Sequence, residues 1–248
     1  MFSIRSVRSL AIAAAIAVVA AVVAMSAPVR SLVGSDGNDY AKGRAATAAD
    51  YVLDGLVALC DGEENDGWGV HNDTLKGWRN LVTGSLFPNS NIGCPYYWDD
   101  KCMVSDVASG WGTAPFMLAD TLLPTAIASA TYTCEMVYES ENTGIFLQHP
   151  STSNRIQFRM ARPTICSVSV VVENGVVKAS YINGNATASA DGITFSTSSP
   201  QASATFKFGG WYQGSVGGNL YSIRLYAIAL TPGEIRYNYL IDKERFGL

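Results

Sequence analysis

Residues 217–248 read GGNLYSIRLYAIALTPGEIRYNYLIDKERFGL, and this stretch decides the fold of the chain. Its first half alternates between apolar and polar positions, and the apolar set is Tyr221, Ile223, Leu225 and Ala227. A period of two is typical of a strand with one buried face and one face in water. The pattern therefore predicts a strand over residues 220–227 whose apolar side chains reach the core.

The second half of the same stretch carries the signals of a short helix. Thr231 is a hydroxyl N-cap, Pro232 takes the first helical position, and Glu234 lies three residues after the cap. Arg245 in the last turn suits the negative end of the helix dipole, and Gly247 is a common stop. We expect a strand, a turn and a helix that close the fold.

Two stretches of the sequence resemble a known superfamily. IRLYAIALTPGEI (residues 223–235) is similar to the closing strand and helix of concanavalin A-like, laminin-G-like domains, and YVLDGLVALCDGEENDGW (residues 51–68) resembles the opening strand and loop of bacterial members. The resemblance implies an all-β fold for residues 51–248, an antiparallel β-sandwich (jelly roll) with a short C-terminal α-helix. It does not imply one function, because this architecture carries lectins, glycosidases, adhesive modules and structural parts.

Further strand signals lie between the two stretches. Asn-Gly pairs at 174–175 and 183–184 indicate tight hairpin turns. Candidate strands lie at 56–60, 75–83, 130–139, 144–148, 155–160, 166–172, 176–182 and 205–208. Residues 88–124 show no periodicity and are interpreted as a long irregular region. Short strands at this spacing are typical of an antiparallel sandwich.

The N-terminus has the layout of an export signal. Arg5 and Arg8 precede an uncharged, alanine-rich run at residues 10–25, which predicts a hydrophobic leader helix. Residues 1–27 are interpreted as a signal peptide that is cleaved or as an N-terminal membrane anchor that is kept, and residues 28–50 as a linker. Either way we expect the body to be exported, secreted or at the cell envelope or surface. Membrane contact is expected only through an uncleaved leader.

The bulk composition excludes some classes of protein. The hydrophobic content of 48% is enough to fill a core, which argues against a disordered chain. The net charge is −4 and no block of lysine or arginine occurs. Nucleic acid is therefore not expected as a partner, because phosphate binding needs clustered positive charge.

Five cysteines occur in the chain. Cys94 and Cys102 bracket a short loop of proline, aromatic and aspartate residues, and in an exported protein they form the disulfide that we predict. Cys134 and Cys166 fall on candidate strands and are expected to be buried apolar side chains, although their pairing, like that of Cys60, stays open. Zinc is not expected, because no C-x-x-C motif occurs.

Only one pair of residues resembles a catalytic site. Glu135 and Glu139 match the outer glutamates of the strand motif E-x-D-x-E of laminarinase-type glycosidases, which serve there as nucleophile and general acid. Val137 stands where that motif has its aspartate. We therefore predict that the protein is not an enzyme and that both glutamates lie on a solvated strand face.

Aromatic residues beside carboxylates predict a sugar-binding surface. A pyranose stacks its C–H face on an aromatic ring while its hydroxyl groups need acceptors. The candidate ligand-binding residues are Tyr96, Tyr97, Trp98, Asp99, Trp211 and Tyr212. The alternative interpretation is that these aromatic side chains cover the ends of the sandwich core.

An oxygen-rich loop follows the first strand. Asp61, Glu63 and Asn65 supply the ligand types that calcium prefers, and calcium is the one cofactor that the sequence suggests. The alternative is a loop of solvated charges, because the spacing is not that of a known calcium loop.

Together these features predict an exported, non-catalytic binding module that recognises a glycan or another surface polymer at the cell envelope. Its expected partner is a carbohydrate or a surface protein. Two alternatives stay open: a structural or protein–protein interaction module of the cell surface or an appendage, and a divergent glycoside hydrolase.

Overall fold

The computed structural model describes residues 45–88, 96–105, 116–118, 131–140, 145–148, 155–158, 162–174, 176–187, 193–196, 206–208 and 218–248. The predicted leader at residues 1–27 and most of the predicted linker lie outside these residues, as do Cys94, Trp211 and Tyr212. At the end of the predicted linker, residues Ala48–Asp50 form a short 3-10 helix in which Ala48 is fully buried.

The described residues form an all-β antiparallel sandwich with one C-terminal helix, which confirms the predicted fold class. The strands are β1 (Leu56–Asp61), β2 (Gly77–Arg79), β3 (Leu86–Pro88), β4 (Tyr96–Asp99), β5 (Cys102–Ser105), β6 (Phe116–Leu118), β7 (Tyr132–Ser140), β8 (Ile145–Gln148), β9 (Arg155–Phe158), β10 (Arg162–Glu173), β11 (Val176–Ile182), β12 (Asn185–Thr187), β13 (Ile193–Ser196), β14 (Phe206–Phe208) and β15 (Gly218–Tyr226). The helix is α1 (Pro232–Phe246).

The strands form two main sheets and one hairpin. The larger sheet has eight strands in the order β12-β11-β10-β7-β15-β5-β4, and β1 also pairs with β15. A five-stranded sheet has the order β13-β9-β8-β14-β6, and β2 pairs with β3 alone. All of the described strand pairs are antiparallel. The terminal strand β15 therefore lies inside the larger sheet.

The alternation of β15 is interrupted by a bulge. Ile223 and Leu225 belong to the main core cluster, as the period of two predicts, and Leu220 belongs to it as well, although the same period puts it on the opposite face. The register with β7 shifts between Leu220 and Ser222. The extra residue turns Tyr221 to the opposite face, where its ring lies 5.4 Å from that of Phe246 in α1.

The second face of β15 is not in water, contrary to the sequence-based prediction. Ser222, Arg224 and Tyr226 are all fully buried. Helix α1 covers this face, and Arg224 is neutralised by Asp242 of α1 and by Glu135 of β7. A polar side chain on a strand can thus be buried when a helix that follows in the sequence supplies its partner.

The ends of α1 confirm the predicted caps. The Thr231 side chain accepts a hydrogen bond from the backbone N–H of Glu234 at 3.3 Å, and the Glu234 carboxylate accepts one from the N–H of Thr231 at 2.7 Å. Gly247 adopts the left-handed conformation with a φ of 76°, and its N–H donates to the carbonyl of Lys243. Both ends of the helix are therefore fixed by local sequence.

The four described cysteines are free thiols, and all four are buried. Cys60, Cys134 and Cys166 lie in the main core cluster, as expected of apolar side chains. Cys102 packs with Val137, Tyr221 and Phe246 beneath α1 instead of bridging to Cys94. The predicted disulfide is therefore not supported.

Within the part of the chain that the structure describes, no helix has both the length and the apolar character needed to cross a membrane.

Candidate functional site

Glu135 of the glycosidase-like motif is enclosed by the protein. Its carboxylate accepts hydrogen bonds from Nε of Arg224 at 2.8 Å, Nδ2 of Asn238 at 2.7 Å and Oγ of Ser169 at 2.9 Å. Burial raises the pKa of Glu135, and the Arg224 charge opposes that rise. The prediction of a solvated glutamate is wrong for Glu135, because α1 covers this face of β7.

Glu139 has a different environment from Glu135. Its carboxylate is half-buried and accepts from Nδ2 of Asn219 at 3.2 Å and from the hydroxyl of Tyr221 at 3.4 Å. One glutamate is thus sealed beneath the helix while the other lies near the edge of the covered face. In this arrangement the two carboxylates do not flank a shared open cleft.

A buried network of charges joins the sheet to α1. Arg224 binds Asp242 through two parallel hydrogen bonds of 2.7 Å, and its guanidinium lies 4.0 Å from the centre of the Tyr51 ring. The Tyr51 hydroxyl donates to Asp242 at 2.8 Å. The sequence analysis missed this network. The one sign of it in the sequence is that an arginine and an aspartate occur in the last strand and in the last helix, which are both clearly patterned.

The carboxylates of the predicted calcium loop converge on Arg245 of α1. Both oxygens of Asp61 accept from its guanidinium, at 2.6 and 2.8 Å, and Glu63 accepts at 3.0 and 3.1 Å. Asp61 also accepts the backbone N–H groups of Glu63 and Glu64. The Arg245 guanidinium therefore supplies the positive charge for which the sequence analysis had suggested a calcium ion.

Asn65, the third predicted ligand, is also fully engaged. Its side-chain oxygen accepts the N–H of Asn72 at 2.8 Å, and its amide donates to the carbonyl of Asn72 at 3.1 Å. Among the described residues, no group of three or more histidine, cysteine, aspartate or glutamate side chains is arranged to hold a metal ion. Calcium binding by this loop stays a prediction.

These contacts order the segment at residues 61–78, which we call the Trp68 loop. Asn72 donates to the carboxylate of Asp66 at 2.9 Å, and Arg79 binds the same carboxylate at 2.7 and 2.8 Å. Hydrogen bonds from Asn72 and Arg79 lower the pKa of Asp66. Two cations from outside the loop, Arg79 and Arg245, thus fix its first leg, residues 61–67, and Asn72 ties the second leg, residues 69–78, to the first.

The tip of the Trp68 loop is a tight turn that exposes an aromatic ring. The N–H of Val70 donates to the carbonyl of Gly67 at 2.9 Å, and the N–H of Gly69 donates to the largely buried carboxylate of Glu64 at 2.7 Å. Gly69 has a φ of 69°, which favours glycine at this turn. Trp68 is 46% exposed although the backbone on both sides of it is held.

The hairpin of β4 and β5 lies against this loop. Lys101, in the turn of the hairpin, pairs with Glu63 at 3.1 Å. The indole N–H of Trp98 donates to the carbonyl of Leu75 at 3.0 Å, and the Trp98 ring meets the Trp78 ring edge-on at 5.3 Å. The two regions singled out by the sequence are therefore neighbours in the fold.

The structure separates the predicted ligand-binding residues. Trp98 is only 6% exposed and belongs to the core, so its ring is not presented to a ligand. Tyr97, which alternates with it on the edge strand β4, is 57% exposed, and Asp99 is exposed as well. Tyr96 lies on the same strand, whereas Trp211 and Tyr212 fall outside the described residues. Trp68 was not among the candidates; its signal was a tryptophan between two glycines.

Comparison with known proteins gives a fold and no family. No family model matches the sequence, and no curated protein matches it. The sialidase of Trypanosoma rangeli in complex with sialic acid aligns with a TM-score of 0.50 and 12% identity, over 75% of this chain and 33% of the sialidase. This chain thus spans about a third of the length of that enzyme.

Two further solved structures align with lower scores. Domain 4 of an extracellular GH43 arabinanase from Geobacillus stearothermophilus, in complex with arabinotriose, gives a TM-score of 0.46 and 19% identity over 78% of this chain and 98% of that domain. The receptor binding domain of botulinum neurotoxin type G gives 0.41 and 8% over 75% and 51%. The sialidase alignment supports the all-β fold described above.

The sequence-based prediction that the protein is not an enzyme is wrong. The sialidase that aligns with most of the chain is an enzyme, so the fold is an enzyme-related one. The prediction depended on a single motif, in which Val137 replaces an aspartate between Glu135 and Glu139. The absence of one motif excludes one kind of active site and not catalysis in general.

Proposed function

We propose that the protein recognises a carbohydrate through the Trp68 loop and the neighbouring edge strand β4. In this proposal it is a laminin-G-like member of the concanavalin A-like superfamily that is exported to the cell envelope. Tyr97 and Asp99 of β4 contribute to the same surface. Tyr96, Trp211, Tyr212 and a calcium ion in the Trp68 loop stay as predicted contributors.

The observation that carries the proposal is the exposure of Trp68 on an ordered turn. A folded chain gains free energy by burying a tryptophan ring, so a ring that stays in water on a fixed backbone suggests a surface kept for a ligand. An indole face offers a flat apolar area to the C–H face of a sugar. A fixed backbone also lowers the conformational entropy lost on binding.

The polar groups around the ring fit the same class of ligand. Asp73 follows Trp68 on the second leg of the loop, and Asp99 lies on β4. Their oxygens are acceptors for sugar hydroxyl groups, which a surface designed for an apolar partner does not need. The sialidase with the similar fold binds sialic acid, which makes glycans the first ligand class to test.

The test compares Trp68→Ala with the wild-type protein on a glycan array, followed by calorimetry on the best ligand, with calcium and with EDTA. We expect at least about tenfold weaker binding, or about 1.4 kcal/mol. The control is Val176→Ala, because Val176 is an apolar side chain that is 58% exposed on β11, and its substitution is expected to leave binding unchanged.

Two outcomes would contradict the proposal. Binding that survives Trp68→Ala unchanged would remove the Trp68 loop from the site. Failure of every glycan to bind, together with a stable assembly of the purified protein without sugar, would favour the structural or protein-interaction alternative.

A further inference from the structure

We infer that the Trp68 loop accepts uncharged saccharides and excludes anionic ones, including sialic acid. This inference rests on the proposed function and names the ligand class of the same site. It departs from what the sialidase alignment would suggest, and it follows from the distribution of charge around the loop.

The cations that could bind a sugar carboxylate are already occupied. Such recognition commonly uses arginine, which presents two parallel donors to the carboxylate. Arg245 is fully buried and spends its donors on Asp61 and Glu63. Arg79 spends Nε and Nη2 on Asp66, and its Nη1 donates to the carbonyl of Gly84.

The lysines near the loop do not restore a cationic site. Lys101 is bound to Glu63 and to the backbone carbonyl of Arg245. Lys76 is exposed on the second leg and is a single flexible ammonium group. Across residues 61–79 and 96–102, together with Arg245, seven aspartates and glutamates stand against four lysines and arginines. The field at this surface is therefore negative.

Three exposed carboxylates on this surface are hydrogen-bond acceptors. The Asp73 side chain is 74% exposed, and one of its oxygens lies 2.9 Å from the His71 ring, which leaves the other for a ligand. Asp99, at the end of β4, and Asp100, in the turn that follows, are also exposed. Carboxylates accept hydrogen bonds from sugar hydroxyl groups and repel a sugar carboxylate or sulfate.

The order of the loop prevents it from adapting to an anion. Releasing Arg245 toward a ligand would leave Asp61 buried and charged without a partner. If Arg79 turned toward a ligand, Asp66 would lose the guanidinium that fixes it, and the first leg of the loop would be less well held. The selectivity thus follows from the same ion pairs that fix the position of Trp68.

The experiment measures the full-length protein against pairs of related ligands, in each of which one member is uncharged and the other is anionic. The pairs are lactose with 3′-sialyllactose, and methyl-esterified with de-esterified oligogalacturonide, within a wider panel of neutral oligosaccharides. We expect the uncharged member to bind at least about tenfold more tightly at low salt, and this ratio to shrink in concentrated salt as repulsion is screened.

Two carboxylate variants sharpen the test. Asp73→Lys is expected to narrow the ratio between neutral and anionic ligands by at least about threefold, because it replaces a repelling charge with an attracting one. Asp54→Asn is the matched control: Asp54 is an exposed carboxylate at the opposite end of β1 from Asp61, and it is expected to leave the ratio unchanged.

The outcomes distinguish this inference from the proposed function. Tighter binding of the anionic member, lost in Trp68→Ala, would overturn the charge selectivity and leave glycan recognition intact. An unchanged ratio in Asp73→Lys would also overturn it. Absence of binding to every ligand of the panel would overturn both.

Discussion

At the scale of single residues, Arg245 shows how far a local reading can miss a role. The sequence suggests a cation that complements the end of a helix dipole, and such a residue is usually exposed. In the structure its side chain is fully buried and binds Asp61, which lies 184 positions earlier in the chain. No local pattern encodes a pair of that separation, so the loop's acids appear unpaired in the sequence.

Arg245→Met tests how much the Asp61–Arg245 pair contributes to the stability of the fold. The substitution keeps most of the side-chain volume but leaves the Asp61 carboxylate buried without its cation, which is expected to cost about 3–5 kcal/mol of unfolding free energy. Denaturation in urea, monitored by circular dichroism, measures the loss.

Lys243→Met is the control for Arg245→Met. Lys243 lies in the same turn of α1 but is exposed, and its removal is expected to change the stability by less than about 0.5 kcal/mol. Equal and small losses in the two variants would show that the Asp61–Arg245 pair contributes little to the fold.

At the scale of elements, the sequence located strands better than it located their faces. Alternation located β7 and β15, and the Asn-Gly pairs located β10 and β11. The Asn183-Gly184 turn between β11 and β12 is present with left-handed φ values of 50° and 69°. Strand β4 was missed, because a four-residue edge strand of aromatic and acidic residues is too short to show a period. The bulge in β15 was also missed, since a bulge depends on the partner strand.

Gly62, in the Trp68 loop, packs against the backbone of the β4–β5 hairpin, and a substitution there tests how closely these two elements must approach. A Cβ atom at Gly62 would lie 2.2 Å from the carbonyl oxygen of Lys101 and 2.9 Å from the Cα of Cys102, so backbone would have to move. We expect Gly62→Ala to cost about 1–3 kcal/mol, as overpacking does, and to weaken glycan binding.

Gly233→Ala is the matched control for this contact. At Gly233 the nearest atom to an added Cβ is Oγ1 of Thr231 at 3.9 Å, so the methyl group fits, and alanine favours the helix. Its stability should equal or slightly exceed that of the wild type in the same urea titration. A Gly62→Ala protein as stable as Gly233→Ala would mean that the loop and the hairpin can separate without cost.

At the scale of the whole molecule, the fold class could be predicted, but the burial of the second face of the larger sheet could not. An alternating strand indicates that one face is apolar, but it does not show whether a helix will cover the other. Here α1 covers that face with Asn238, Asp242 and Arg245, and the sheet meets it with Glu135 and Arg224. The candidate site follows the same logic: the sequence singled out both of its loops, but the arginines that order the Trp68 loop come from β2 and α1.

The four described cysteines can show whether the larger sheet unfolds cooperatively. Cys60, Cys102, Cys134 and Cys166 lie on β1, β5, β7 and β10, which all belong to the larger sheet. Burial raises the pKa of Cys102 and of Cys134 to about 12, and only the thiolate reacts readily with iodoacetamide. In the native protein at neutral pH all four should therefore be protected.

If the larger sheet unfolds as one unit, the four thiols should become reactive together at the urea concentration of global unfolding. Mass spectrometry of a Cys94→Ser variant, labelled briefly along a urea series, measures this directly. Labelling of Cys102 at lower urea than the other three would show instead that α1 and the β4–β5 hairpin open first, which would separate the candidate site from the stability of the sheet. The denatured, unreduced wild-type chain supplies the companion measurement: five labels are expected from free cysteines, and three would reveal a disulfide.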